Sequence, residues 1–149
     1  MEAAAGMSSM LVRDLKAHGM ARRTRSTVKA LRGDTFIENK FKNCKKIALW
    51  IDVEGAQYEV LNSLSKSFAQ GIINAVYIEV EKEKLWLEQK MVDNDIIEFM
   101  NSNNFSQFLR DNEYYTQHNI IFINNNITEC NFFLFFDHYR MLLQKTHAQ

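Results

Sequence analysis

Two acids spaced two apart, Asp52 and Glu54, leave the end of the apolar run Ile47-Ala48-Leu49-Trp50-Ile51 and are followed at once by Gly55. In an extended chain, residues two apart face the same side, so both carboxylates address one site. An ionised carboxylate at the end of a buried strand is costly unless it is solvated or paired. Such a pair is therefore solvated at a sheet edge, bound to a metal or another cation, or presented to a substrate. Gly55 lets the backbone turn sharply, and the same residues also suit a plain strand-to-helix joint in which an acid caps the helix. A second acidic group follows at Glu79, Glu81 and Glu83, where the apolar run Ile72–Val80 ends.

The elements that must position these acids alternate between strand and helix. Ile47–Ile51 is continuously apolar, which predicts a strand buried on both faces, as in the middle of a parallel sheet. From Ala56 the period becomes helical. Val60, Leu64 and Phe68 form one stripe with Leu61 beside it, and Gln57, Glu59, Asn62 and Lys66 face away. Gly71 stops that helix. A weak strand is expected over Ser26–Leu31 and a short helix over Thr35–Lys42. Asp93 or Asp95 caps a helix through Ile96, Ile97, Phe99 and Met100. Phe105–Arg110 and Asn119–Asn124 read as closing strands, joined by a polar linker holding Tyr114, Tyr115 and His118. The linker aromatics and His118 can edge a substrate site. The last stretch, Thr128–Lys145, predicts a helix so rich in Phe, Tyr and Leu that it either packs across the sheet or drives self-association. A crossover the length of one βαβ unit makes the chain an α/β half-sheet, whose ligands sit beyond the carboxyl ends of its parallel strands.

Composition narrows the function. The 149 residues hold 18 basic and 18 acidic side chains and no net charge, which removes the simplest case for a nucleic-acid binder. The charge is unevenly spread, at net +7 over residues 1–50, −6 over 51–100 and −1 thereafter. The basic cluster Arg22-Arg23-Thr24-Arg25 lacks interleaved aromatics and reads as a solvated loop. Cys44 and Cys130 stand too far apart in sequence for a metal pair and read as reduced cytosolic thiols. His18, His118 and His138 have no metal-ligand spacing. No transmembrane run and no signal peptide is read, so the expected location is cytoplasmic.

Three chemistries place acids at a strand end in this way. An aspartyl-phosphate phosphatase wants Asp-x-Asp, whereas the second acid here is Glu. A nucleotide hydrolase adds a glycine-rich loop ending in Lys-Ser/Thr, which five glycines do not form here. A methyltransferase sets an acidic or polar residue at the end of its fourth strand, beside the methyl donor and the acceptor.

The segment Leu49-Trp50-Ile51-Asp52-Val53-Glu54-Gly55-Ala56-Gln57-Tyr58-Glu59-Val60-Leu61 resembles the hallmark of FkbM-family methyltransferases, approximately Leu-Lys-Ile-Asp-Val-Glu-Gly-Ala-Glu followed by a helix with Val-Leu. Gly6-Met7-Ser8-Ser9 resembles the family's Gly-x-Ser-Ser-Leu. Val28–Glu38 resembles its Val-x-x-x-Thr-Leu-Asp segment, with the Asp falling at Ile37 or shifted to Asp34 or Glu38. Val76–Val80 resembles the fifth strand and Asn119–Ile123 the closing strand. Trp50 stands where the family has Lys, and Gln57 where it has Glu. The family's first strand, with its Asp-x-Gly-Ala-Asn-x-Gly-like cofactor loop and the Glu-Pro of its second strand, has no counterpart before Ser8.

The resemblance implies a partial Rossmann-like class I methyltransferase sheet, its carboxyl-terminal half, with parallel strands and a closing antiparallel hairpin. Residues 1–126 would form that half and residues 127–149 the aromatic-rich helix. It implies S-adenosylmethionine-dependent O-methyl transfer to a small-molecule hydroxyl acceptor such as a sugar or natural product, within a longer or completed protein. Asp52 and Glu54 would be catalytic, orienting the acceptor, acting as base or holding a divalent cation, and Glu79, Tyr115 and His118 would line the acceptor side. The alternative is a non-catalytic remnant or interaction module whose open sheet edge and Phe-rich tail bind a partner or a completing chain.

Overall fold

The structure, a computed structural model, describes residues 9–14, 26–111 and 115–127. Its main sheet has four strands: β2 (Ile47–Ile51), β3 (Ile73–Glu81), β5 (Phe105–Arg110) and β6 (Gln117–Asn124). Their order is β2-β3-β6-β5. The β2–β3 pair is parallel, while β6 runs antiparallel to both β3 and β5. The expected parallel pair and closing hairpin are both present, and β6 inserts between β3 and β5. A two-stranded ribbon pairs β1 (Val12–Arg13) with β4 (Trp86–Leu87), an element too short for any hydrophobic period to announce.

Among the described residues four helices accompany the sheet: α1 (Gly33–Lys40), α2 (Gln57–Ser63), α3 (Ser65–Ala69) and α4 (Asp93–Ser102). They contribute Ile37, Leu61, Leu64, Phe68, Ile96 and Met100 to one core with Ile51, Val76, Ile78, Ile120 and Phe122 of the sheet. Phe68 is the hinge of this layer, with its ring edge-on to Phe105 at 5.5 Å and to Phe99 at 5.7 Å. Residues paired across antiparallel strands share a face, so Val76/Phe122, Ile78/Ile120 and Val80/His118 all point into this core.

The other face carries Ala48, Trp50, Tyr77 and Ile121. Trp50 is 63% exposed there and stacks on Tyr77 at 4.3 Å. The expectation that β2 is buried on both faces is thus corrected. Only Ile47, Leu49 and Ile51 turn inward, because the helices cover one face and β2 ends the described sheet. Ser26–Leu31 forms no strand; no neighbour completes a ladder for it. The helix expected over Thr35–Lys42 begins and ends two residues earlier. The single helix expected from Ala56 is broken at Leu64.

That break is stabilised from outside. Asp34 accepts hydrogen bonds from the backbone N–H of Lys66 (3.1 Å) and Ser67 (2.9 Å) and from Ser67 Oγ (2.6 Å), capping α3 from α1. Lys66 pairs with Glu38 alongside. Burial alone would raise the Asp34 pKa, but the hydrogen bonds from Ser67 and Lys66 and the nearby Arg32 outweigh it and hold the carboxyl below its ordinary value. Asp95 accepts from the Val92 N–H at 3.0 Å and so caps α4, leaving Asp93 for another role. The tail from Thr128 onward, Tyr114, the Arg22–Arg25 cluster, His18, His138 and Cys130 lie outside the described residues.

Asp34→Asn is expected to cost roughly 1–3 kcal/mol at neutral pH, the scale of hydrogen bonds to a charged group. A carboxyl with a lowered folded pKa stabilises above its unfolded value and loses that contribution as pH falls through the folded one. Urea unfolding of wild type and variant should therefore converge in acid; an equal gap at pH 7 and pH 2.5 would contradict the cap.

A carboxylate cluster at the strand ends

Asp52 lies one residue beyond β2, on the Trp50 face of the sheet. Glu54 and Gly55 then both take left-handed backbone, at φ 48° and 89°, and α2 begins two residues later. Gly55 is required twice. Its φ disfavours any side chain, and a Cβ there would stand 2.6 Å from Cγ of the Trp86 indole. The strained Glu54 is held by its carbonyl, which accepts a 2.5 Å hydrogen bond from Ser9 Oγ. Glu79 reaches the same face from near the carboxyl end of β3. One oxygen each of Asp52, Glu54 and Glu79 lies within 4.8 Å of the others. The half-buried Glu54 has its pKa raised by burial and by the Asp52 charge, against the pull of Arg13.

A buried network backs this cluster. Glu81 is fully buried, and its Oε2 accepts from Gln57 Nε2 (2.9 Å) and Gln89 Nε2 (3.0 Å). Gln57 Nε2 also donates to the Glu79 carbonyl at 3.0 Å. Gln89 turns its Oε1 to the N–H groups of Leu85 (2.9 Å) and Trp86 (3.3 Å) and donates to the Met91 carbonyl. Desolvation dominates at Glu81, with a further push from Glu54, and its pKa rises to about 7 despite the two amide donors. Arg13 lies over the Trp86 ring at 5.7 Å, so β1 closes the same corner.

The expected site residues divide. Asp52, Glu54 and Glu79 converge, and Gln117 Nε2 donates to Glu79 Oε1 at 3.1 Å. Tyr115 is 91% exposed, with Lys82 Nζ 5.7 Å from its ring, and is not part of the cluster. His118 sits on the opposite, helix-covered face, fully buried, with Nε2 3.4 Å from Asp93 Oδ2; Arg110 also pairs with Asp93. Burial pushes the His118 pKa down against the attraction of Asp93. Gln57, expected to face solvent, is fully buried instead, because its amide is the donor that Glu81 and the Glu79 carbonyl need. Glu81 had one sequence signal, the period-two acids 79, 81 and 83. Gln89 and Trp86 had none, since their partners come from other segments. A depression of about 190 Å³, lined by Lys45, Lys46, Asn74 and Asn124, opens at the opposite end of the sheet. Among the described residues no helix is long and apolar enough to cross a membrane.

Three carboxylates gathered on one side of a sheet end can orient a hydroxyl group, accept its proton or hold a cation. A parallel strand pair with acids at its carboxyl ends defines an α/β protein whose site lies where such sheets bind ligands. The model of the methyltransferase FkbM domain matches residues 4–107, and the chain belongs to that family. Membership points to methyl transfer as the class of reaction. No curated protein and no solved structure matches the chain.

Gly55→Ala combines strained backbone with a clash and is expected to destabilise by at least about 1–3 kcal/mol, seen as a lower urea midpoint; a neutral substitution would mean that Trp86 moves freely. Glu81 has a raised folded pKa, so the native state holds its proton between about pH 4.5 and 7 and loses stability as pH rises across that window. Glu81→Gln removes this loss. Its stability relative to wild type should grow from pH 5 to pH 8, by up to about 3 kcal/mol, and a constant difference would place the Glu81 proton elsewhere.

Proposed function

We propose that this chain forms the acceptor-side half of an S-adenosylmethionine-dependent O-methyltransferase with a Rossmann-like class I sheet, acting on a small-molecule hydroxyl acceptor. The observation that carries the reading is the convergence of Asp52, Glu54 and Glu79 at the carboxyl ends of β2 and β3, within the segment matched by the methyltransferase family. The strand order, with antiparallel β6 between β3 and β5, supports the same sheet type.

The methyl donor carries an activated methyl group, and the work left to the protein is to align and deprotonate the acceptor. Glu54 suits the role of base. Its raised pKa brings it nearer to neutral pH than an ordinary carboxylate, which favours proton acceptance in the transition state. Asp52, exposed beside it, orients the acceptor hydroxyl, and Glu79, held by Gln117, lines the acceptor side. Holding the acceptor in line supplies acceleration without a covalent step. Tyr115, exposed near the same end of the sheet, contributes to the acceptor rim, and His118 stiffens β6 beneath it through Asp93.

The described residues do not fit the cofactor's nucleoside. Their glycine turn between strand and helix, at Gly55, has its space filled by the Trp86 indole, so no backbone approach is left there.

The test is methyl transfer from labelled S-adenosylmethionine to a panel of hydroxylated acceptors by the complete protein. Asp52→Asn and Glu54→Gln should each keep the circular dichroism spectrum and lower turnover by ~10²–10⁴-fold, the range for loss of a general acid or base. Unchanged turnover in both variants would reduce the two acids to a strand-to-helix joint.

A further inference from the structure

We propose that the depression at the amino ends of β2 and β3 is a binding site for a dianionic phosphate group, free or carried on a small molecule. The depression measures about 190 Å³, and Lys45, Lys46, Asn74, Asn124 and Asn126 supply its polar lining. No acid is among its lining residues. Both lysines are exposed, and neither forms an ion pair with a described residue. Adjacent residues of a strand face opposite sides, but Lys45 and Lys46 precede β2 and both reach the depression. The lining thus offers cations and amides with no competing carboxylate, and charge-assisted hydrogen bonds to phosphate are among the strong ones.

The fold shapes this lining with a bulge. Ile47 pairs with Ile73 but Ala48 pairs with Ala75, so Asn74 is an extra residue with no partner in β2. The bulge is why Ile73 and Val76, three residues apart, both reach the helix-covered core; an unbroken strand would send them to opposite faces. A bulge re-aims a side chain, and that of Asn74 lines the depression. Its Oδ1 is enclosed without a partner, which leaves Nδ2 as the outward end of the amide. Behind it Asn124 is 6% exposed and held at both ends of its amide. Its Nδ2 donates to Ile73 O at 3.1 Å, and its Oδ1 accepts from the Asn126 N–H at 2.9 Å. These bonds fix the turn that follows β6, on which Asn126 stands. Groups already fixed lose little freedom when a ligand arrives.

The position also suits an anion. Lys46 and Asp52 flank β2 at its two ends, about 20 Å apart at the rise of an extended chain. The Debye length at physiological ionic strength is about 8 Å, so the carboxylate cluster does not repel an anion at the lysine end. Two ammonium groups match the double charge of a phosphate better than the single charge of a carboxylate. The phosphate oxygens can accept from lysines and amides together. The site stands apart from the carboxylate cluster, and the inference does not depend on methyl transfer.

The test reads backbone amide chemical shifts of the full chain while inorganic phosphate, glycerol 3-phosphate or glycerol is added at constant ionic strength. Phosphate is expected to move the amides of residues 45–47, 71–75 and 124–126 and to saturate in the millimolar range, and glycerol to move none. Tighter binding of glycerol 3-phosphate identifies a carried phosphate and equal binding a free one; either supports the site. Lys45→Gln/Lys46→Gln should keep the circular dichroism spectrum and weaken binding by roughly 10-fold or more, the scale of lost hydrogen bonds to a charged group. Lys29→Gln/Lys40→Gln changes the net charge equally, away from the depression, and should leave binding unchanged. No saturating shift at tens of millimolar overturns the proposal. So do shifts centred elsewhere, or equal losses in the two lysine pairs, which would make the effect one of net charge.

Discussion

The corner that carries the candidate site depends on one buried carboxylate. Glu81 has no exposure, and an ion there is costly unless donors surround it. Two glutamine amides from different segments, Gln57 at the start of α2 and Gln89 beyond β4, donate to its Oε2, and burial still holds its proton to about pH 7. Each is then fixed by its other bonds, Gln57 to the carbonyl of Glu79 and Gln89 to the Leu85–Met91 loop. The loop in turn presses Trp86 against Gly55. Glu81 thus ties the start of α2 to β3 and to the loop that follows β4.

The same corner sets Glu54 and Glu81 apart from ordinary carboxyls. Asp52 is exposed, Glu54 is half-buried and Glu81 is enclosed, and burial raises the pKa in that order of depth for the last two. A glutamic acid at position 57, as the family pattern carries, would set a second carboxyl against Glu81 where Gln57 now donates. The chain's departure from the family there suits its buried acid.

The sheet is one-sided among the described residues. Helices α1 to α4 cover the face of Val76, Ile78 and Phe122, while Trp50 and Tyr77 stack on the other. The core of this α/β unit is built on that helix-covered face, and β2 ends the sheet among the described residues.

What the sequence determined by itself was whatever short-range pattern can encode. The apolar run 47–51, the acid spacing at 52 and 54, the glycine turn and the strands, read at 72–80, 105–110 and 119–124 and formed at 73–81, 105–110 and 117–124, were legible, because side-chain period and turn chemistry are local. So was the family, from the segment around Asp52. Tertiary structure decided the rest. It left Trp50 exposed in an apolar run, buried Gln57 on a face that helical periodicity gave to solvent, broke the helix at Leu64 with a cap from Asp34, and denied Ser26–Leu31 a strand partner. It brought Glu79 to Asp52 and Glu54 while sending His118 to the opposite face. Each of these depends on groups 20 to 50 residues apart meeting in space. A hydrogen bond's need for a partner is written in a residue's type, but which residue supplies it is settled only when the chain packs.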